Sequence, residues 1–206
     1  MSLTCQQLLQ RHHDAWQSAT VHPFLVQCQR GTIQARQFNT WLVQDFLFVT
    51  EFSRMAARLL AAAPYPHFAV LLSGLGALQA ELSWFEAKAS ERSLILNTAR
   101  QATCTEYCQF MASMADYPYA VQATAFWAIE LAYNQGWQRH TPMPAPYAEF
   151  ADRWGNPEFT QYVKLLEQQA DEGLAEAPPG VQQQAEAAFS QVAQLEQAFW
   201  QMAFEG

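Results

Sequence analysis

The chain has 206 residues, half of them apolar and 14% aromatic, with only 15% charged. Soluble domains average roughly 25% charged residues, and a chain this apolar buries enough surface to offset its ordering entropy, which excludes disorder. Eleven Lys and Arg stand against 19 Asp and Glu, giving a net charge of −8 with no basic cluster, so nucleic acid is not an expected partner.

Apolar residues recur with a period near that of a helix almost throughout, and strand-like alternation is absent. A first helix is predicted over about 3–19, ending before His22-Pro23, and a short one over 23–29 stops at Gly31. A long helix over about 34–62 carries Phe38, Trp41, Leu42, Asp45, Phe48, Val49 and Phe52 on one stripe. Pro64 and Pro66 cannot continue it and push their predecessors toward extended geometry, so a turn separates it from a helix over 67–89. Inside that helix, Gly74 and Gly76 are expected to allow close helix packing. Helices over 103–115 and 119–140 flank Asp116-Tyr117-Pro118, and Thr141-Pro142-Met143-Pro144-Ala145-Pro146 reads as a rigid connector. Two last helices, over 157–173 and 179–204, are divided by Ala177-Pro178-Pro179-Gly180. No repeat and no long polar linker interrupts the pattern. The expectation is an all-α fold, one domain over 1–206 built as a bundle of seven to eight helices.

The apolar stretch 117–138 is broken by Gln, Asn and Thr and carries Glu130, so no membrane span is expected. The N-terminus lacks a basic region followed by an apolar core, and a cytoplasmic location follows. The cysteines Cys5, Cys28, Cys104 and Cys108 are too sparse for a disulfide framework and are expected to be reduced. Cys104 and Cys108 share a helix face, but no CxxC pair or nearby His completes a metal site.

So few charges make the solitary ones conspicuous. Asp45 is the only charge between Arg36 and Glu51, Glu130 between Asp116 and Arg139, and Glu196 between Glu186 and Glu205. Glu81 ends an uncharged stretch that begins at Phe68. A carboxylate inside an apolar helix must find a donor, stay protonated or line a wet cavity. Each alone could be structural, bonded to a Trp or Tyr or exposed on the far face of its helix. Four in separate helices point to a pocket where carboxylates meet a ligand amine or a catalytic water. Phe126, Glu130, Tyr133 and Trp137 lie on one face, and Phe199 and Trp200 follow Glu196 by one turn. Aromatic walls with a few placed polar groups suit a planar heterocycle.

A di-iron bundle would need Glu-x-x-His pairs. The third residue after Glu51, Glu81, Glu130 and Glu196 is Arg54, Trp84, Tyr133 and Phe199, so neither a metal nor another cofactor is expected. No GxSxG, P-loop or dinucleotide fingerprint is present.

Several segments, in order, resemble the TenA (thiaminase II-like) family: His22-Pro23-Phe24 with Gly31 downstream, Gln44-Asp45, and Thr103-Cys104-Thr105-Glu106-Tyr107. Phe126-Trp127-Ala128-Ile129-Glu130, Phe150-Ala151-Asp152-Arg153-Trp154-Gly155 and Leu195-Glu196-Gln197-Ala198-Phe199-Trp200 complete the match, which spans nearly the whole chain. The resemblance implies a haem-oxygenase-like α-fold without haem, assembled as a homotetramer or homodimer, that salvages the pyrimidine half of degraded thiamin. It implies pyrimidine binding by Asp45, a pocket role for Tyr107 and proton exchange by Glu196. Where the best-studied branch carries its nucleophilic Cys, this chain has Ala125; Phe48 and Trp154 replace two pocket tyrosines. Without the thiol the covalent route of thiamin cleavage loses its nucleophile. The pattern is similar to that of the Cys-lacking, Glu-containing branch.

The expectation is therefore a C–N hydrolase acting on aminomethylpyrimidine or its N-formyl derivative. Glu196 and Glu130 are the candidate catalytic residues; Asp45, Phe48, Tyr107, Phe126, Tyr133 and Trp154 are the candidate substrate-binding residues. Burial is expected to raise the pKa of one carboxylate, which suits proton transfer near neutrality. Cys104 is an alternative nucleophile. Two alternative functions stand beside this one: a non-catalytic pyrimidine- or vitamin-binding protein, and a cofactor-less oxidase resembling pyrroloquinoline-quinone synthase.

Overall fold

A computed structural model describes residues 2–206 of the chain. Among these residues every regular element is helical, as the periodicity predicts. Ten α-helices follow one another: α1 (Cys5–Arg11), α2 (His13–Thr20), α3 (Pro23–Arg30), α4 (Ala35–Ala62), α5 (Phe68–Glu91), α6 (Ala102–Ser113), α7 (Tyr119–Arg139), α8 (Ala148–Trp154), α9 (Pro157–Glu176) and α10 (Pro179–Glu205). Two refinements of the sequence reading account for the number. The first predicted helix is two, because the chain turns at His12 (φ −109°, ψ 27°). In addition, α8 follows the Pro-rich connector. The chain divides into two compact units: residues up to Ile33 with Pro118–Gln201, and Gln34–Tyr117 with Met202–Gly206.

In the first unit the ends of the helices are set by local chemistry. Thr4 and Gln7 satisfy each other's backbone N–H groups at the start of α1, a reciprocal cap. Pro23 opens α3, the ring of His22 accepts the Phe24 N–H, and Gly31 closes the helix at φ 66°, where a side chain would be strained. Asn156 caps α9 by accepting the Phe159 N–H at 2.8 Å, with Pro157 in the first turn. The central element is α7, buried on nearly every face from Ala120 to Trp137, and it packs against α2, α8 and most extensively α9. A helix apolar all round belongs in a core. Around it the aromatic rings interlock: Trp16 stacks on Phe189 at 5.0 Å, and Trp127 on the same ring at 5.8 Å.

In the second unit α4 packs against α5 and α6. The stripe from Phe38 to Phe52 is buried as its spacing predicts, Asp45 included. Arg36 donates to the carbonyls of Gly206 and Glu205 at 3.2 and 3.1 Å, and Gln37 donates to that of Phe204. These side chains cap the last carbonyls of α10. Glu51 is ion-paired with Arg54 at 2.9 Å and Arg58 at 3.1 Å.

Helix α5 departs from expectation. A Cβ placed on Gly76 would meet open space, so this glycine does not serve close packing within the chain. The segment that comes nearest to a membrane span is Tyr65–Glu91 rather than 117–138: it is long and apolar enough by length and composition, and 22% of its most apolar stretch is buried. Tyr65 is 83% exposed and Leu72 54%.

Candidate functional site

In the second unit Asp45 and Phe48 on α4 and Tyr107 on α6 are all buried. Phe48 and Tyr107 meet with centroids 4.8 Å apart at 64°, and Phe48 stacks on Phe52 one turn further along. Gln44, which sequence reasoning did not single out as a site residue, anchors the entry to α6. Its side-chain carbonyl accepts the Gln101 N–H at 2.8 Å, and its amide donates to the Ala99 carbonyl at 3.3 Å.

Cys104 donates its S–H to the Gln44 carbonyl at 3.5 Å. The thiol is pushed far above its ordinary range, first by a hydrogen bond shared with Cys108, then by burial and by charges that include Asp45. The same bond pushes Cys108 down, aided by Arg100 and Arg54. The Cys104 thiol thus keeps its proton, which makes it a poor nucleophile.

A groove of about 550 Å³ runs along α4 and the segment before α6, lined by Arg36, Asn39, Thr40, Gln44, Leu94 and Gln101 among others. None of the sequence-predicted site residues lines it.

In the first unit Phe126, Glu130 and Tyr133 on α7, Trp154 on α8 and Glu196 on α10 are again all buried. Tyr133 meets Trp154 edge to face at 5.7 Å and lies 5.6 Å from Trp200; Trp154 in turn stacks on Trp137 at 5.5 Å. Trp200 is fixed by its ring N–H, which donates to the Ala19 carbonyl at 3.1 Å. Glu130 precedes Tyr133 by one helical turn and Glu196 precedes Trp200 by one turn. Both candidate catalytic carboxylates thus lie one helical turn from a ring of this cluster, in an interior where a charge-assisted hydrogen bond is strong. Ala125 is buried on α7. Glu81, by contrast, is only half-buried on α5. Among the described residues no group of three or more His, Cys, Asp or Glu side chains is placed to hold a metal ion.

Residues 9–206 match the profile of the TENA/THI-4/PQQC family. The chain belongs to that family. A Glycine max protein named "Probable bifunctional TENA-E protein" is 32% identical, over 94% of this chain and 90% of its own. An uncharacterised protein of Haemophilus influenzae is 24% identical, over 97% and 98%. Among solved structures, a TenA homologue from Pyrococcus furiosus superposes with a TM-score of 0.92 at 28% identity, covering 97% of this chain and 98% of that one. A TenA homologue from P. horikoshii shares the fold, with a TM-score of 0.87 at 22% identity and 97% of both chains covered. The fold is the haem-oxygenase-like α-fold of these TenA proteins.

Proposed function

We propose that this TENA/THI-4/PQQC-family protein is a hydrolase of thiamin salvage that cleaves a C–N bond of 4-amino-5-aminomethyl-2-methylpyrimidine or of its N-formyl derivative. The observation that carries the reading is the pair of buried carboxylates, Glu130 and Glu196, each one turn from a ring of the Tyr133–Trp154–Trp200 cluster. Aromatic faces hold a planar pyrimidine by offset stacking. A carboxylic acid among them delivers a proton to a departing nitrogen, and a second carboxylate takes one from the attacking water. Glu196 takes the first role and Glu130 the second. With the aminomethyl substrate, water replaces the exocyclic amine and ammonia leaves; with the formylamino substrate, water adds to the formyl carbon and formate leaves.

Ala125 leaves no thiol for covalent thiamin cleavage, so thiamin itself is not the substrate. The test is a release assay for ammonia and formate over a small panel of 5-substituted 4-aminopyrimidines. Turnover of either compound supports the reading, and inactivity on both overturns it. Calorimetric binding without turnover assigns the protein to the non-catalytic pyrimidine-binding class instead.

The protein acts in the cytoplasm as a homotetramer or homodimer. The exposed apolar face of α5 at Leu72, together with Tyr65 in the turn ahead of the helix, is the surface a second copy covers.

A further inference from the structure

From the hydrogen bonds at the end of α8 we infer that Asn134 is a positioning residue for Trp154, and that it sets affinity for the substrate ring without touching it. The inference rests on the reading that Trp154 forms part of the pyrimidine site.

With only seven residues, α8 is too short to hold its place by its own hydrogen bonds. Its last carbonyls are instead taken by side chains from outside it. Asn156 donates its amide to the carbonyls of Asp152 and Arg153 at 2.9 and 2.8 Å. The Asn134 amide donates to the carbonyl of Trp154 itself at 2.7 Å, and its second N–H goes to the Thr160 hydroxyl at 3.0 Å. Asn134 is 2% exposed, so its bonds form away from competing water. They tie α8 to α7 and to α9 at one point.

Gly155 follows at once. A Cβ there would sit 2.7 Å from the Ala151 carbonyl and 3.1 Å from the backbone of Gln138, so the chain passes against α7 with no room for a side chain. Between the Asn134 bond and this close approach, the backbone of Trp154 has little freedom. Its ring is thereby held against both Trp137 and Tyr133.

Asn134→Asp keeps the shape and exchanges the donor for an acceptor facing a carbonyl; Asn134→Ala removes the bond without that repulsion. Thr160→Val removes the hydroxyl partner and leaves the bond to Trp154 intact. Trp154→Ala removes the ring. KM and kcat are measured for each, with the Kd of the hydroxymethylpyrimidine product by calorimetry. The expected result is that Asn134→Asp and Asn134→Ala raise KM and Kd at least tenfold and change kcat less than threefold. Thr160→Val changes neither, and Asn134→Ala adds nothing to KM in the Trp154→Ala background. Equal KM effects of Asn134→Ala and Thr160→Val would show a general packing role and overturn the inference. So would a Trp154→Ala effect that Asn134→Ala does not share. If Trp154→Ala itself leaves KM and Kd unchanged, the inference falls together with the placement of Trp154 in the site, and that single variant tells the two failures apart.

Discussion

Phe48 and Tyr107 meet edge to face, 4.8 Å between centroids at 64°, and so join α4 to α6 beside the buried Asp45. A pair in this geometry contributes about 0.5–1.5 kcal/mol beyond the area it buries. A double-mutant cycle of Phe48→Leu and Tyr107→Leu, read by urea denaturation, is expected to return a coupling in that range. Phe48→Ala alone is expected to cost about 3–5 kcal/mol, the range for emptying a buried phenylalanine site. Additive effects of the two leucine substitutions would show that the rings are neighbours without being partners.

The proton-transfer role of Glu196 separates from its structural role in one comparison. Glu196→Gln is expected to lower kcat by about 10²–10⁴, the usual contribution of a positioned acid or base. Tm is expected to hold or rise, because an amide is cheaper to bury than a carboxylate. Cys104→Ala is expected to leave kcat within a fewfold, since that thiol keeps its proton through its bond to Cys108 and its burial. The opposite ranking in a steady-state assay would return the nucleophile role to the cysteine pair.

Much of the fold was legible because helical spacing repeats over many turns. The stripe from Phe38 to Phe52 on α4 is buried residue for residue, and the start of α3 at Pro23 follows from a proline that only a first turn tolerates. What the sequence did not reveal depends on groups far away in the chain. The short α8 is held at Trp154 by Asn134, 20 residues earlier in the chain, a bond that no local pattern records. An uncharged Asn in the apolar run of α7 was the one available signal. The four solitary carboxylates read alike in sequence, yet Asp45 and Glu196 are fully buried and Glu81 is half-buried. The difference lies in α5, apolar on faces that no other element of its unit covers, so periodicity there could not tell inside from outside.

Two glycines are expected to respond to alanine with opposite signs. Gly31 ends α3 at φ 66°, a conformation that costs an L side chain about 1–2 kcal/mol, so Gly31→Ala destabilises by that amount and Gly31→Asn by less. Gly76 sits inside α5 with open space where its Cβ would be. Gly76→Ala is therefore expected to stabilise by about 1 kcal/mol, the difference in helix propensity. Thermal unfolding of the variants decides both signs.

Acid is expected to weaken the first unit through His22. Its Nδ1 accepts the Phe24 N–H at 3.2 Å, so the ring carries its proton on Nε2, 3.1 Å from the Gln201 side-chain oxygen. Burial holds its pKa below the ordinary 6.5, opposed in part by Gln201, and burial does the same for His140. Between the folded value and 6.5 the unfolded chain binds more protons than the folded one, so stability rises with pH across that window and falls as pH drops below about 6.5. His22→Asn keeps a cap at α3 without a titrating ring. The slope of Tm between pH 7 and pH 5.5 is expected to be shallower in this variant; an unchanged slope would assign the acid sensitivity elsewhere.

The exposed face of α5 makes the assembly testable at a single side chain. Leu72 is 54% exposed, and a charge there would cost a monomer little, since exposed substitutions change stability by about 0.5 kcal/mol or less. At an interface between copies the same charge is buried without a partner, which disrupts the contact. Leu72→Glu is therefore expected to shift sedimentation from an oligomer toward a single chain, while urea stability of the dissociated protein stays near the starting value. Leu72→Met, which conserves volume, is expected to leave the oligomer intact. An oligomer unaffected by Leu72→Glu would place its interface on another face. A chain that is monomeric before any substitution, and that instead floats with neutral phospholipid vesicles, would make the apolar face of α5 a membrane contact.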